Sequence, residues 1–250
     1  MSKPTLYVFA ISHYCEKARW ALEYLDIDFE VVYLAPGLHT QLAHELDLKQ
    51  ASLPILKTGD TTIQGSNNII DWADNNARNE KTLTPESCSA TCRALEQKLD
   101  DVMGVNVRRY FYSEALVEHP ETVEPIFTRD LPADQQATIK SIWEMITANM
   151  IKGMDLGSEQ GDESKIIVDV ELTWLEALLA DGRAYLAGDH FSRADLTAAS
   201  LCAPIARAEE NPSNKLVVLP PRFSQVQEQW NDRPALRWVR QMYNQHRHSI

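Results

Sequence analysis

SLPILKTGDTTIQGS, residues 52–66, carries the densest structural signal in this sequence. Ile55 to Lys57 and Thr61 to Gln64 read as short strands, and Thr58-Gly59-Asp60 between them is a hairpin signal. Ser66 stands where a helix opens, with Ile69, Ile70 and Ala73 on its inner face. A Leu53-Pro54 pair enters the hairpin, and Gly65-Ser66 leaves it.

Working back toward the N-terminus, strand and helix signals alternate. Leu6 to Ile11 reads as a buried strand. Ala18, Ala21, Leu22 and Leu25 recur at i, i+3, i+4 and i+7, which is one face of a helix. Phe29 to Leu34 is the next strand, Pro36-Gly37 breaks it, and Gln41 to Leu48 reads as helix. The order is β-α-β-α-β-β-α. A helical crossover between the first two strands makes them parallel, and the hairpin makes the last two antiparallel. That is the thioredoxin-like order, an α/β unit expected over residues 1–80.

Working forward, Asn75 to Pro85 is polar and reads as a linker. Residues 87–250 then carry helical periodicity almost throughout and are expected to form an all-α bundle. Leu172, Leu175, Leu178 and Leu179 lie at core spacing within Ile166 to Asp181. Ser113 to Asp134, with three prolines and many acids, reads as a long loop with some helix. Gly153 to Ser164 reads as a mobile connection. In Phe191-Ser192-Arg193-Ala194-Asp195-Leu196, Ser192 and Asp195 form a capping box, with Phe191 and Leu196 as its staple. Losing Asp195 is expected to cost on the order of 1 kcal/mol or more. The small and apolar residues that follow place this helix at the centre of the second unit.

Composition excludes several functions. The formal charge of −12 repels phosphate backbones and anionic membranes, and Arg108-Arg109 is too short to count as a basic patch, so no nucleic-acid or membrane partner is expected. No apolar stretch approaches the ~18–20 residues of a membrane span. MSKPTLYVFAISHYC has one lysine and no small-residue cleavage site, so it reads as the first strand and not as an export signal. Cytoplasm is the expected compartment. Cys15, Cys88, Cys92 and Cys202 are too sparse for a disulfide framework. Cys88 and Cys92, four apart, have no matching Cys or His pair, so burial is the better reading than metal binding. The tail His246-Arg247-His248 reads as a solvated terminus, and no metal is expected.

A thioredoxin-like half with S-x-x-C at its first helix (Ser12, Cys15), Leu53-Pro54, Gly65-Ser66, and a helical half with F-S-R-A-D together resemble the cytosolic glutathione transferase superfamily. SHYCEKARWALE is similar to the first helix of bacterial glutathione S-transferase-like proteins. The likeness covers nearly the whole chain and rests on the order and spacing of the motifs, not on any one of them. It implies that the first domain binds glutathione as co-substrate and that the second supplies a pocket for a small electrophile. It also implies a homodimer. Ser12 matches the residue facing the glutathione sulfur. Pro54 matches a proline the family holds cis, leaving the Leu53 backbone to pair with the cysteinyl part. Ser66 matches the serine at a helix start that holds the γ-glutamyl carboxylate. Position 65, usually acidic or glutamine, is Gly65 here, with Gln64 as a substitute one residue earlier. Cysteine-type members carry the thiol at the Ser12 position, so Cys15 inherits the place of the more buried cysteine of C-x-x-C proteins. Arg108, Arg109, Tyr110 and Tyr112 fall on the helix that lines the second pocket in this family. Tyr7 lies inside the strand, too early to face the sulfur.

The chemistry fits these residue types. A free thiol titrates near pH 8.5, and lowering it by about two units needs about 2.7 kcal/mol. A hydroxyl donating to the thiolate supplies about 1.5–3 kcal/mol, and a helix N-terminus up to about 2 kcal/mol. Ser12 together with the first helix is therefore sufficient in principle to lower the thiol that far, and the thiolate would then attack an electrophilic carbon. Three readings stand together: a glutathione transferase using Ser12, a thiol transferase or reductase using Cys15, and a non-catalytic binding module of the same fold. Plain capping by Ser12 and Ser66, simple burial of Cys15 and a solvated face for Lys17 and Arg19 are the bland alternatives.

Overall fold

The structure, a computed structural model, describes residues 3–78 and 80–247. The elements follow the expected order through the first unit: β1 (Thr5–Val8), α1 (His13–Tyr24), β2 (Glu30–Tyr33), α2 (Leu38–Glu45), β3 (Ile55–Thr58), β4 (Thr61–Gln64) and α3 (Ser66–Asn76). The sheet runs β2-β1-β3-β4. β1 pairs parallel to β2 with Leu6 opposite Val31, and antiparallel to β3 with Leu6 opposite Leu56. The hairpin pairs Thr58 with Thr61. Ala18, Ala21, Leu22 and Leu25 are all fully buried, as the spacing requires, and so are Ile69, Ile70 and Ala73. α2 starts three residues before its expected position because Gly37, at φ 97°, turns the chain directly into it.

Helices make up the rest: α4 (Ser89–Lys98), α5 (Val105–Ala115), α6 (Pro120–Thr128), α7 (Ala133–Ser141), α8 (Trp143–Met154), α9 (Ser158–Leu179), α10 (Arg193–Ala206), α11 (Pro221–Trp230) and α12 (Pro234–His246). No helix among the described residues is long and apolar enough to cross a membrane. Two sequence expectations are corrected. Ser113 to Asp134 is mostly helical, because Pro120 occupies the first position of α6 and Pro132 caps α7, where a missing N–H costs nothing. Gly153 to Ser164 is no mobile connection. Only residues 155–157 separate α8 from α9, with Asp155 in the left-handed region at φ 53°, and the polar run beyond is the first two turns of α9.

The capping box of α10 is present. The Asp195 carboxylate accepts from the Ser192 N–H at 2.9 Å, the Ser192 hydroxyl at 2.6 Å and the Leu186 N–H at 2.7 Å. Burial nevertheless pushes this carboxyl up to about 6. α10 is buried along nearly its whole length, with Leu196, Ala198, Ala199 and Leu201 fully enclosed.

Ion pairs bind the sheet-bearing unit to the bundle. Lys17, expected on a solvated face, is fully buried. Its Nζ lies 2.8 Å from Glu96 Oε1 and donates to both Asp100 oxygens at 2.9 and 2.8 Å. The Glu96 contact is electrostatic without hydrogen-bond alignment. Arg193, in the middle of F-S-R-A-D, donates to Glu96 at 2.6 Å, Asp71 at 2.5 Å, Thr84 at 3.1 Å and the Asn67 carbonyl at 3.2 Å. Arg19 keeps partial exposure but pairs with Glu23 at 2.8 Å. The chain end is also corrected. Arg247 is buried and pairs with Glu16 at 2.8 Å and with Glu23, while His246 stacks on Phe191 at 4.2 Å between ring centroids. His248 lies outside the described residues.

Arg193→Met should lower the unfolding free energy by about 1.5–3 kcal/mol, since it removes the hydrogen bond to the buried Glu96 carboxylate and leaves that group only its Lys17 contact. Urea denaturation reads this directly, and a loss below about 1 kcal/mol, the value of a surface pair, would show that the network carries no structural weight.

Candidate functional site

The turn after β1 builds the site. The Ser12 N–H donates to the Phe9 carbonyl at 3.2 Å, which ends the strand sharply and sets Ser12 at the start of α1. Ser12 Oγ accepts the Cys15 N–H at 3.3 Å and caps the helix. Capping uses a lone pair of the oxygen and keeps the O–H as a donor, which in this structure meets the Cys15 thiol. Helix capping and hydrogen-bond donation are therefore compatible in one residue.

α1 is held in place by an unusual turn of the bundle. Leu99–Gly104 is π-helical, a wide turn often found at functional sites. The Tyr14 hydroxyl donates to the Asp100 carbonyl at 2.6 Å, and His13 Nε2 lies 3.0 Å from the Gly104 carbonyl. A carbonyl only accepts, so His13 carries its proton on Nε2. Burial first, and then the Arg108 charge, push His13 down to about 3, so it is neutral. A Cβ at Gly104 would stand 2.5 Å from the Tyr14 hydroxyl, so the close approach of α1 depends on that glycine.

Opposite Ser12, the Leu53-Pro54 peptide is cis. The Leu53 N–H and C=O make no hydrogen bond among the described residues, and the residue faces the same cleft as Ser12. The Gln64 side chain donates at 2.8 Å to the carbonyls of both Gln50 and Ser52, so it fixes the loop that presents Leu53. Gly65 caps α3 at φ 93°, a region that favours glycine, and its N–H donates to the Pro54 carbonyl at 3.1 Å. Ser66 is the first residue of α3, nearly buried, with its hydroxyl unengaged and the first amides of the helix open.

Between these parts lies a cleft of about 360 Å³, within the usual range of ligand sites. Ser12, Leu53 and Ser52 line one side, and Arg108, Tyr112, Phe127, Met150 and Met154 the other. Phe9 forms its floor, edge-on to His39 at 5.0 Å and to Phe127 at 5.5 Å. The structure thus brings Ser12 and Leu53 together. Pro54, Gln64 and Ser66 are not part of its lining. Of the four α5 residues singled out in the sequence, Arg108 and Tyr112 reach the cleft. Arg109 instead pairs with Asp155 at 2.5 Å, and Tyr110 packs on Phe223 at 4.9 Å. Tyr7 is within β1 and away from the lining.

Sequence reasoning missed His13, Phe127, Met150 and Met154. The two methionines, four apart on α8, carried the one available signal, an apolar i,i+4 pair. Cys15 is only 2% exposed, and burial pushes its thiol up to about 11 despite the Ser12 and Phe9 contacts. Cys92 is fully buried, with its sulfur 3.5 Å from that of Cys88. Among the described residues no group of three His, Cys, Asp or Glu side chains is placed to hold a metal ion.

Comparison with known proteins fits this geometry. Residues 6–81 match the family model described as glutathione S-transferase, N-terminal domain. A glutathione transferase from Phanerochaete chrysosporium aligns over 100% of this chain and 99% of its own, with a TM-score of 0.67 at 13% identity. A glutathione S-transferase from Ceriporiopsis subvermispora, solved in complex with glutathione, aligns over 100% and 99%, with a TM-score of 0.64 at 15% identity. A beta-etherase from Sphingobium sp. aligns over 95% and 98%, with a TM-score of 0.59 at 19% identity. No curated protein matches the sequence.

Folded protein treated with iodoacetamide near neutral pH should show no alkylation at Cys15 by peptide mass spectrometry, because a thiol titrating near 11 and shut from solvent offers almost no thiolate. Rapid labelling there would restore Cys15 as a reacting group.

Proposed function

We propose that this chain, which carries the glutathione S-transferase N-terminal domain and shares the transferase fold along its length, conjugates glutathione to a small electrophile. The observation that carries the reading is the pairing of a helix-capping Ser12 hydroxyl with the unengaged Leu53 backbone across one cleft. Glutathione would lie against Leu53, with its γ-glutamyl carboxylate at the open amides of α3 beside Ser66. Pro54 and Gln64 would shape that surface without touching the sulfur.

The Ser12 O–H donates to the glutathione sulfur and favours the thiolate, while the thiol proton leaves to solvent. The start of α1 adds a partial positive charge at the same place. The thiolate attacks a carbon held against Phe127, Met150 and Met154. A carbon–sulfur bond forms, and the bond to the leaving group breaks. No residue of the chain is covalently changed. His13, neutral and of low basicity, plays no part as proton acceptor. Buried Cys15 weighs against the thiol-transfer alternative. We place the enzyme in the cytoplasm, which suits its four free cysteines, and as a homodimer on the family resemblance.

Ser12→Ala should lower kcat/KM for glutathione with 1-chloro-2,4-dinitrobenzene by about 10- to 100-fold, the value of one hydrogen bond to a charged group. The lost cap should cost only about 1 kcal/mol of stability. Full turnover in a folded Ser12→Ala protein would remove the hydroxyl from the mechanism. A wild-type protein with no thermal shift on adding glutathione would favour the non-catalytic module.

A further inference from the structure

The cleft contains one permanent charge and no counter-charge. None of its lining residues is Asp or Glu. Arg108, on α5 one turn before Tyr112, makes no ion pair and no hydrogen bond among the described residues, and its Nε is buried without a partner. The other guanidiniums of this region are engaged. Arg109 pairs with Asp155 and Glu163, Arg207 donates to the Asn214 carbonyl at 2.8 Å, and Arg247 holds Glu16. Glu16, on the small cavity behind Arg108, is thereby used up.

Buried polar groups are paired in folded proteins with few exceptions, and an unsatisfied guanidinium donor is an expensive one. The other walls are apolar or neutral: Phe9, Ile11, Phe127, Met150, Met154 and the neutral His13. A planar fork of N–H donors over an apolar floor matches a carboxylate attached to an apolar or aromatic body.

We propose that Arg108 is the anion receptor of the second-substrate pocket, and that the electrophile carries a carboxylate or a similar planar anion. This rests on the transferase reading given above and names the substrate class for that site. Glutathione also carries carboxylates. Arg108, however, projects from the helical unit, whereas the groups expected to hold the tripeptide, Leu53 and Ser66, belong to the sheet-bearing unit. The electrophile is the partner on its side of the cleft.

The test uses the full chain with glutathione and a matched pair of electrophiles, 4-chloro-3-nitrobenzoate and 4-chloro-3-nitrobenzamide. Wild-type protein should prefer the acid. Arg108→Gln should lower the acid-to-amide ratio of kcat/KM by about 10- to 100-fold, with Arg108→Lys retaining part of the preference. Because Arg108 has no partner to strand, the variants should keep the wild-type melting temperature. A second arm titrates unreactive 3-nitrobenzoate calorimetrically without glutathione. Binding by wild type and loss in Arg108→Gln supports the receptor even if conjugation is absent, in which case the transferase reading fails alone. Equal nitrobenzoate affinity in wild type and Arg108→Gln overturns the proposal. So does an unchanged acid-to-amide ratio with a 10-fold or greater loss of glutathione affinity, which would give the guanidinium to the tripeptide.

Discussion

The fold depends on a chain of charges that runs from the buried Lys17, Glu96 and Arg193 out to the half-exposed Asp71. Lys17 belongs to α1 and Asp71 to α3, while Glu96 and Arg193 belong to α4 and α10. Two helices of the sheet-bearing unit are thus tied to two of the bundle by four side chains. Such a network contributes little net stability, because desolvating each ion offsets most of the attraction. What it supplies here is position. Arg193 has its donors committed to Glu96, Asp71, Thr84 and a carbonyl of α3, so a slide of one unit against the other would strand several charges at once. The capping box holds the same arginine at the first turn of α10, with Asp195 fastening that turn to Leu186.

That rigidity is what makes the cleft a defined site. Its two walls come from different units, Ser12 and Leu53 from one, Arg108 and Tyr112 from the other. Near the cleft, α1 meets the π-helical turn through Tyr14 and His13, and Gly104 permits the approach. Farther along α1, Trp20 is enclosed 4.5 Å from Tyr243 and donates to the His246 carbonyl at 3.0 Å. The last turn of α12 therefore braces the helix whose first turn forms the site.

What could be read from sequence was what neighbours along the chain decide. β4 falls at Thr61–Gln64 as read, the inner faces of α1 and α3 are the residues their spacing names, and the Ser192–Asp195 box was visible because its partners lie three apart. The misread stretches had local signals of the wrong kind. Prolines at Pro120 and Pro132 suggested a loop but serve as helix starts, and the polar glycine-bearing run after Met154 opens a helix. The charges were the least legible. Lys17 finds Asp100 across 83 positions, Arg193 finds Glu96 across 97, and Arg247 finds Glu16 across 231. Nothing in the periodicity around Lys17 separates a solvated lysine from a buried one. In the cleft, Ser12 and Leu53 could be named through the family resemblance of the motifs that carry them. Which α5 arginine faces inward required the rotation of that helix.

The overall charge and the local charge of this protein point in opposite directions. With 24 basic against 36 acidic residues, the surface field opposes the approach of any anion, glutathione included. At physiological salt that field is screened within about 8 Å, so it acts on the rate of encounter more than on the bound state. Inside the cleft the balance is reversed. The lining has no carboxylate, the start of α1 brings its partial positive charge, and Arg108 brings a whole one. Low-dielectric walls of Phe127, Met150 and Met154 lengthen the reach of that charge. The net charge therefore sets how often an anion arrives, and the local charge of the cleft sets how well it is held once there.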